Sequence, residues 1–260
     1  MSYGDDIMTT GFVREIKTRF PKRKVLIGDG KREYHSPVFW HNPNIDHGIF
    51  VKDSDDVIWL KDYPRHRPYI DYSRSTQTKL AFRKFTPVKG NLYFTDSEIA
   101  AAKQALKRLR PFVVIEPNVQ GTCGATNRDW GFEKWQKVVD QLRGNVVFVQ
   151  LGRTGVRSLS GVIRIVTEDF RAACAVLPLA KLFVGTEGGL HHAAAALDVG
   201  GVVIFGGRIS PETTGYANHT NLYVKHPKSP CGRISSCDHC KKCMEKVLVK
   251  NVTEAIAGRL

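Results

Sequence analysis

The chain of 260 residues lacks any apolar run approaching the ~18 residues that a membrane-spanning helix needs, which excludes a spanning segment. Its opening, MSYGDDIMTT, has neither the basic start nor the apolar core of a secretory leader, and the expected location is cytoplasmic. No short-period repeat or low-complexity tract interrupts the sequence, so solenoid and disordered classes are set aside. Acidic residues are in short supply, 25 against 39 Lys and Arg, leaving a formal charge of +14. That surplus favours a polyanionic partner, whether nucleic acid, phosphorylated glycolipid or an anionic membrane surface contacted peripherally. Cysteine is sparse outside one cluster, and Cys123 and Cys174 are given no role.

What is present begins with 42% hydrophobic residues, ordinary for a globular chain with a real core. The organising stretch is KLFVGTEGGLHHAAAALDVGGVVIFGG, 181–207. An apolar run at Leu182 to Val184 turns through Gly185 and Thr186. Leu190, Ala193, Ala194 and Leu197 then follow at helical spacing before a second apolar run, Val202 to Phe205. This reads as strand, helix, strand. Gly188 and Gly189 fall at the helix start, where bare N–H groups and the helix dipole attract phosphate. Gly-rich turns also open α/β helices for packing alone; Glu187 and His192 add polar groups that a purely structural turn does not need.

Before this unit, Ile7, Met8, Gly11, Phe12, Ile16 and Phe20 predict a helix over 5–20, with acids at its start and bases at its end, stopped by Pro21. Strands are expected at Val25 to Ile27 and Val57 to Leu60. Residues 61–90 interleave bases and aromatics, among them Arg65, Arg67, Tyr69, Tyr72, Phe82 and Phe85. They are either a surface for stacking on bases or sugars or an amphipathic helix with its aromatic face buried. Thr95 to Glu98 signals a helix start, and a domain boundary is expected near Pro111. Strands at Phe112 to Ile115 and Val146 to Val149, alternating with helices at Phe132 to Leu142 and Phe170 to Leu179, predict a parallel sheet flanked by helices. A last helix is expected over Val252 to Leu260.

Four of the six cysteines crowd into CGRISSCDHCKKC, 231–243, with His239 among them. In a cytosolic protein the cluster points to a structural zinc held by Cys231, Cys237, Cys240 and Cys243, with free thiols the alternative. The bases around it, Lys225, Lys228, Arg233, Lys241 and Lys242, would suit a polyanion.

The segment E-G-G-L-H-H-A-A-A-A-L (187–197), with V-I-F-G-G-R-I-S-P-E-T-T-G-Y (203–216), resembles the heptosyltransferase signature of glycosyltransferase family 9, D-T-G-x-x-H-L-A-A-A-L followed by G-P-T-D-P. Glu187 stands where that family has Asp, and Gly188 where it has Thr. Asn42, Pro43, Ile45 and Asp46 resemble the family's N-P-x-I-D turn between two short strands, and a second match is the opening G-D-x-x-x-T-T, carried by Gly4, Asp5, Thr9 and Thr10 and followed by Lys17, Phe20 and Pro21. Here only Met1, Ser2 and Tyr3 precede it, so the family's first strand is expected to be missing or replaced.

The resemblance implies an α/β GT-B fold, two Rossmann-like domains with parallel sheets and a cleft between them. An acceptor domain at 1–110 would face a nucleotide-sugar domain at 111–260. It also implies Asp5 as the general base, with a helix-start acid as the plain alternative. Asn127 to Trp135 resembles the family's K-x-W-P-x-x-x-W, with Arg128 in place of the phosphate-binding Lys. Donor-binding residues would be Thr126, Arg128, Glu187, Gly188, Gly189, His192, Gly206 and Arg208, and acceptor-binding residues Gly4, Arg65 and Arg67. The expected activity is an inverting, metal-independent transfer of sugar from a nucleotide sugar, with no cofactor required. Its acceptor is a lipopolysaccharide core sugar or, alternatively, a hydroxymethylated base in DNA. A rival from another class is a non-catalytic nucleic-acid-binding protein on the same scaffold.

Overall fold

A computed structural model describes residues 2–48, 56–61, 67–107, 109, 111–119 and 125–260. The first element is helix α1 (Tyr3–Arg19), with Asp5 and Asp6 in its first turn and Lys17 and Arg19 in its last, the arrangement that complements the helix dipole. Strand β1 (Lys24–Ile27) pairs in parallel with β2 (Val57–Leu60), Val25 opposite Ile58. After a loop comes α2 (Asp96–Ala105), opened by a capping box in which Thr95 and Glu98 bond reciprocally to each other's backbone N–H.

From residue 112 the chain alternates strand and helix: β3 (Phe112–Glu116), α3 (Phe132–Leu142), β4 (Val147–Gly152), β5 (Ile163–Val166), α4 (Phe170–Val176), β6 (Leu182–Thr186), α5 (Gly189–Ala196) and β7 (Gly201–Phe205). A single turn α6 (Pro211–Thr214), strand β8 (His219–Tyr223) and helices α7 (Asp238–Lys246) and α8 (Val249–Ala257) complete it. Six strands form one parallel sheet in the order β5-β4-β3-β6-β7-β8. Side chains alternate faces along a strand. Phe112 and Val114 accordingly join one apolar cluster, which also holds Ile7, Met8, Ala193 and Ala194, while Val113 and Ile115 join the other, with Trp135, Val138 and Val252. Helix α1 thus packs on α5 over the first face, and α3 and α8 cover the second.

Two expectations change. Residues 37–45 form no strand: Ser36 caps a single 3-10 turn over Pro37–Phe39, and Asn42 turns the chain again by accepting the Asn44 N–H. Residues 67–90 contain no helix. The rings of Tyr69, Phe82 and Phe85 pack on one another, so they are not laid out as a stacking surface. Among the described residues before 110 the sheet has two strands, and α1 is the element that precedes β1. Of the Cys-rich segment 231–243, the residues from Asp238 onward lie in α7.

Candidate active site

In the six-stranded sheet the order reverses between β3 and β6, and ligands of open parallel sheets bind at the carboxyl ends of the strands flanking such a point. Strand β6 delivers Thr186 and Glu187 there, and the chain turns at Gly188 into α5. Strand β3 leads to Asn127 and Arg128 at the same edge. Arg128 Nη1 donates to both Glu187 Oε2 and the Glu187 carbonyl, each at 3.2 Å. His192 Nε2 lies 3.6 Å from Glu187 Oε1, and its Nδ1 is 2.8 Å from the Tyr216 hydroxyl. Burial alone would raise the Glu187 pKa, but His192 and Arg128 outweigh it and hold the carboxylate well below its usual range.

The opposite wall comes from the start of α1. Tyr69 donates its hydroxyl to Asp5 Oδ1 at 2.8 Å, and Arg67 Nε is 2.8 Å from Asp5 Oδ2. The carboxylate is buried between these two donors. Burial works against the charge on Arg67, but Asp5 more than offsets it and raises the guanidinium pKa. Burial and the neighbouring Asp5 push the Tyr69 phenol well up, so that it stays a donor.

The two walls meet through glycines. A Cβ on Gly4 would lie 2.6 Å from the His192 ring, and one on Gly189 would meet the Phe170 ring at 3.0 Å and the Gly4 nitrogen at 3.9 Å. The N-termini of α1 and α5 therefore converge, adding two dipoles of the same sign to the positive charge of Arg67, Arg128 and Arg208. Gly4, Gly189 and Gly206 owe their lack of a side chain to packing: a Cβ on Gly206 would sit 3.0 Å from the Asn127 carbonyl and from Met244 Cε. Gly188 differs, since a Cβ there would meet nothing nearer than 3.9 Å. Arg208, buried, donates Nε to the Arg233 carbonyl at 3.2 Å; burial lowers its pKa, against the pull of Glu187.

Asp5, Arg67, Arg128, Glu187, His192 and Arg208 are thus brought together, with Gly4, Gly188 and Gly189 between them. Thr126 is exposed on the turn before Arg128. Arg65, expected to bind acceptor, lies outside the described residues. Sequence reasoning gave no role to Tyr216 or Asp6, and placed Tyr69 only within the basic and aromatic stretch 61–90. Asp6 is buried beside Asp5, accepts the Ser36 hydroxyl at 2.7 Å on Oδ2, and has its pKa raised to about 6, chiefly by burial. The Cys-rich segment sits beyond Gly206 and Gly207. There Cys231, Cys237, His239 and Cys240 bring their ligand atoms within 4.8 Å of one another, so His239 takes the place expected for Cys243.

The sequence matches no protein-family profile and no curated protein. Its fold, however, is similar to solved structures over nearly the whole length. A glycosyltransferase of family 9 from Veillonella parvula superposes with a TM-score of 0.66 at 14% identity, over 99% of this chain and 94% of that one. The ADP-heptose lipopolysaccharide heptosyltransferase II of E. coli gives 0.62 at 11% identity, over 99% and 95%. The architecture is therefore the α/β GT-B fold, and the solved structures it is similar to are glycosyltransferases, among them heptosyltransferases.

Proposed function

We propose that the chain is an inverting glycosyltransferase. Residues 1–110 hold the acceptor and residues 111–260 the nucleotide-sugar donor. Asp5 takes the proton of the acceptor hydroxyl as its oxygen attacks the anomeric carbon, and the bond from that carbon to the diphosphate breaks on the opposite face. The negative charge that develops on the leaving diphosphate falls to Arg128, Arg208 and the α5 N-terminus at Gly188 and Gly189, the role a metal ion takes in other enzymes. Glu187 accepts hydrogen bonds from donor hydroxyls and holds Arg128. Arg67 and Tyr69 fix the orientation of Asp5.

The observation that carries this reading is the meeting of a buried carboxylate, Asp5, with a phosphate-type site across the Gly4–Gly189 approach. The acceptor we propose is an anionic glycolipid, a core sugar of lipopolysaccharide. The charge of +14 suits it, and E. coli heptosyltransferase II shares the fold. The inward packing of Tyr69, Phe82 and Phe85 removes the main argument for a surface that stacks on bases. The test is transfer of labelled sugar from nucleotide sugars to truncated lipopolysaccharide cores or to duplex DNA bearing hydroxymethyl bases, with product anomers read by NMR. Transfer to glycolipid with inverted configuration, abolished in Asp5→Asn, is expected. A retained anomeric configuration would refute the mechanism, and transfer only to DNA would refute the acceptor.

A further inference from the structure

Segment 231–235 is hydrogen-bonded on three sides. Cys231 and Gly232 donate their N–H groups to the carbonyls of Gly207 and Arg208 at 2.8 and 3.0 Å. The Asn127 amide donates to the carbonyls of Arg233 and Ser235 at 3.0 and 2.7 Å. Leu80 N–H donates to the Gly232 carbonyl at 2.9 Å, and Ile234 N–H to that of Thr78 at 3.0 Å. Gly232 sits at φ +66°, and a Cβ there would lie 1.8 Å from the Leu80 carbonyl oxygen, so the approach requires glycine. This short stretch thereby joins the loop after β7, the turn before Arg128 and a strand-like piece from the first half of the chain. It is rich in polar backbone and poor in apolar anchors of its own.

The anchors it does have are sulfur and nitrogen. Cys231 begins the segment, Cys237 follows it at the start of α7, and His239 and Cys240 come from the first turn of that helix. Their four ligand atoms lie within 4.8 Å of one another, and Cys231 and Cys240 are free thiols with Sγ atoms 3.1 Å apart. Ligands bound tetrahedrally at about 2.3 Å stand roughly 3.8 Å from each other, which small side-chain shifts reach from here. His239 adds an independent sign. Its Nδ1 is buried with no hydrogen-bond partner, whereas Nε2 is within 3.2 Å of the Ser229 hydroxyl and 3.1 Å of His226 Nδ1. A ligating imidazole has this arrangement, one nitrogen left for the metal and the other oriented by a polar neighbour.

We propose that Cys231, Cys237, Cys240 and His239 hold one structural zinc ion, which staples segment 231–235 to α7 and so fixes the junction of Leu80, Arg208 and Asn127. Three thiolates and one imidazole make a closed tetrahedral set, with no position left for substrate. Cys243 stands outside this set, one turn further along α7. The site does not depend on the transferase reading, since its occupancy and its mechanical effect are both measurable without substrate.

The full chain, purified without chelator, should carry one equivalent of zinc by elemental mass spectrometry. His239→Ala and Cys240→Ser should each lose at least nine-tenths of it, while Cys243→Ser keeps it. Removing the metal from the wild-type protein should speed hydrogen exchange at the amides of Leu80, Gly232 and Ile234 by tenfold or more and leave those of β6 and β7 unchanged. No bound zinc, a disulfide between Cys231 and Cys240 in the purified protein, or loss of zinc in Cys243→Ser with retention in His239→Ala would each overturn the assignment. So would zinc removal that leaves the three amides as protected as before.

Discussion

Replacing Asp6 by Asn should change how stability depends on pH. Asp6 is 1% exposed, and its pKa is raised from 3.8 to about 6, first by burial and then by the neighbouring Asp5, against the bond from Ser36. A carboxyl whose folded-state pKa is raised binds its proton more tightly when folded than when unfolded. Stability therefore falls as pH rises from about 4 to 6 and is level on either side. A shift of about two units corresponds to ~3 kcal/mol lost across that window. For a chain of this size this is on the order of 5–10 °C in melting temperature. Asn has nearly the same shape and does not titrate there. Its amide places an NH2 or oxygen where Asp6 Oδ1 has no hydrogen-bond partner, which offsets the whole curve by a constant. The quantity to read is the difference between wild type and Asp6→Asn in urea-unfolding free energy from pH 4 to 8. The variant should gain on wild type by ~3 kcal/mol between pH 4 and 6, with no further change above about 6.5. A difference that stays constant from pH 4 to 8 would refute the reasoning, because Asp6 would then titrate alike in both states.

Asp5→Asn should lower transfer by at least a hundredfold while leaving nucleoside-diphosphate affinity within about threefold, since Asp5 lies on the α1 wall; equal losses in both would remove it as base. Gly188→Ala should leave the melting temperature within a degree or so, given the open space above it, yet weaken nucleoside-diphosphate binding about tenfold. Unchanged binding would place the diphosphate elsewhere. Glu98, held down to about 2 chiefly by its bond to Arg171, contributes stability that is present above pH 4.5 and lost as pH falls towards 2. Glu98→Gln should flatten that acid limb in a melting series, and an unchanged limb would show the pair to be inert.

The strand–helix alternation from 112 onward was legible because each element declares itself locally. Phe112 to Ile115 is a continuous apolar run of the kind a doubly covered parallel strand requires, and Thr95 and Glu98 stand at capping-box spacing. Strand β5 was not legible: its edge position leaves Ile163 and Val166 exposed, so no buried run marks it. The motif-like letters around Gly4 and Gly188 led to the two walls of the site. Their mutual support did not show, because it is long-range: Tyr69 reaches Asp5 across 64 positions of sequence. Tyr69 looked like one aromatic among many in a basic stretch, and only its buried hydroxyl separates it from Tyr72. His239 was similarly hidden, since its place among the clustered ligand atoms in preference to Cys243 depends on which side of α7 faces Cys231. Gly206 was read as a donor contact, and its bare backbone also admits Met244 beside the Asn127 carbonyl.

The most direct test of the central claim is thermal unfolding of the wild-type chain and Arg128→Ala with a panel of nucleoside diphosphates and their sugars. At 100 times its dissociation constant, a bound nucleotide adds about 2.7 kcal/mol. That is a shift on the order of 5–10 °C for a chain of this length. The account predicts such a shift with one nucleotide base, and its loss in Arg128→Ala. No shift with any nucleotide, or one that persists undiminished in Arg128→Ala, would contradict it.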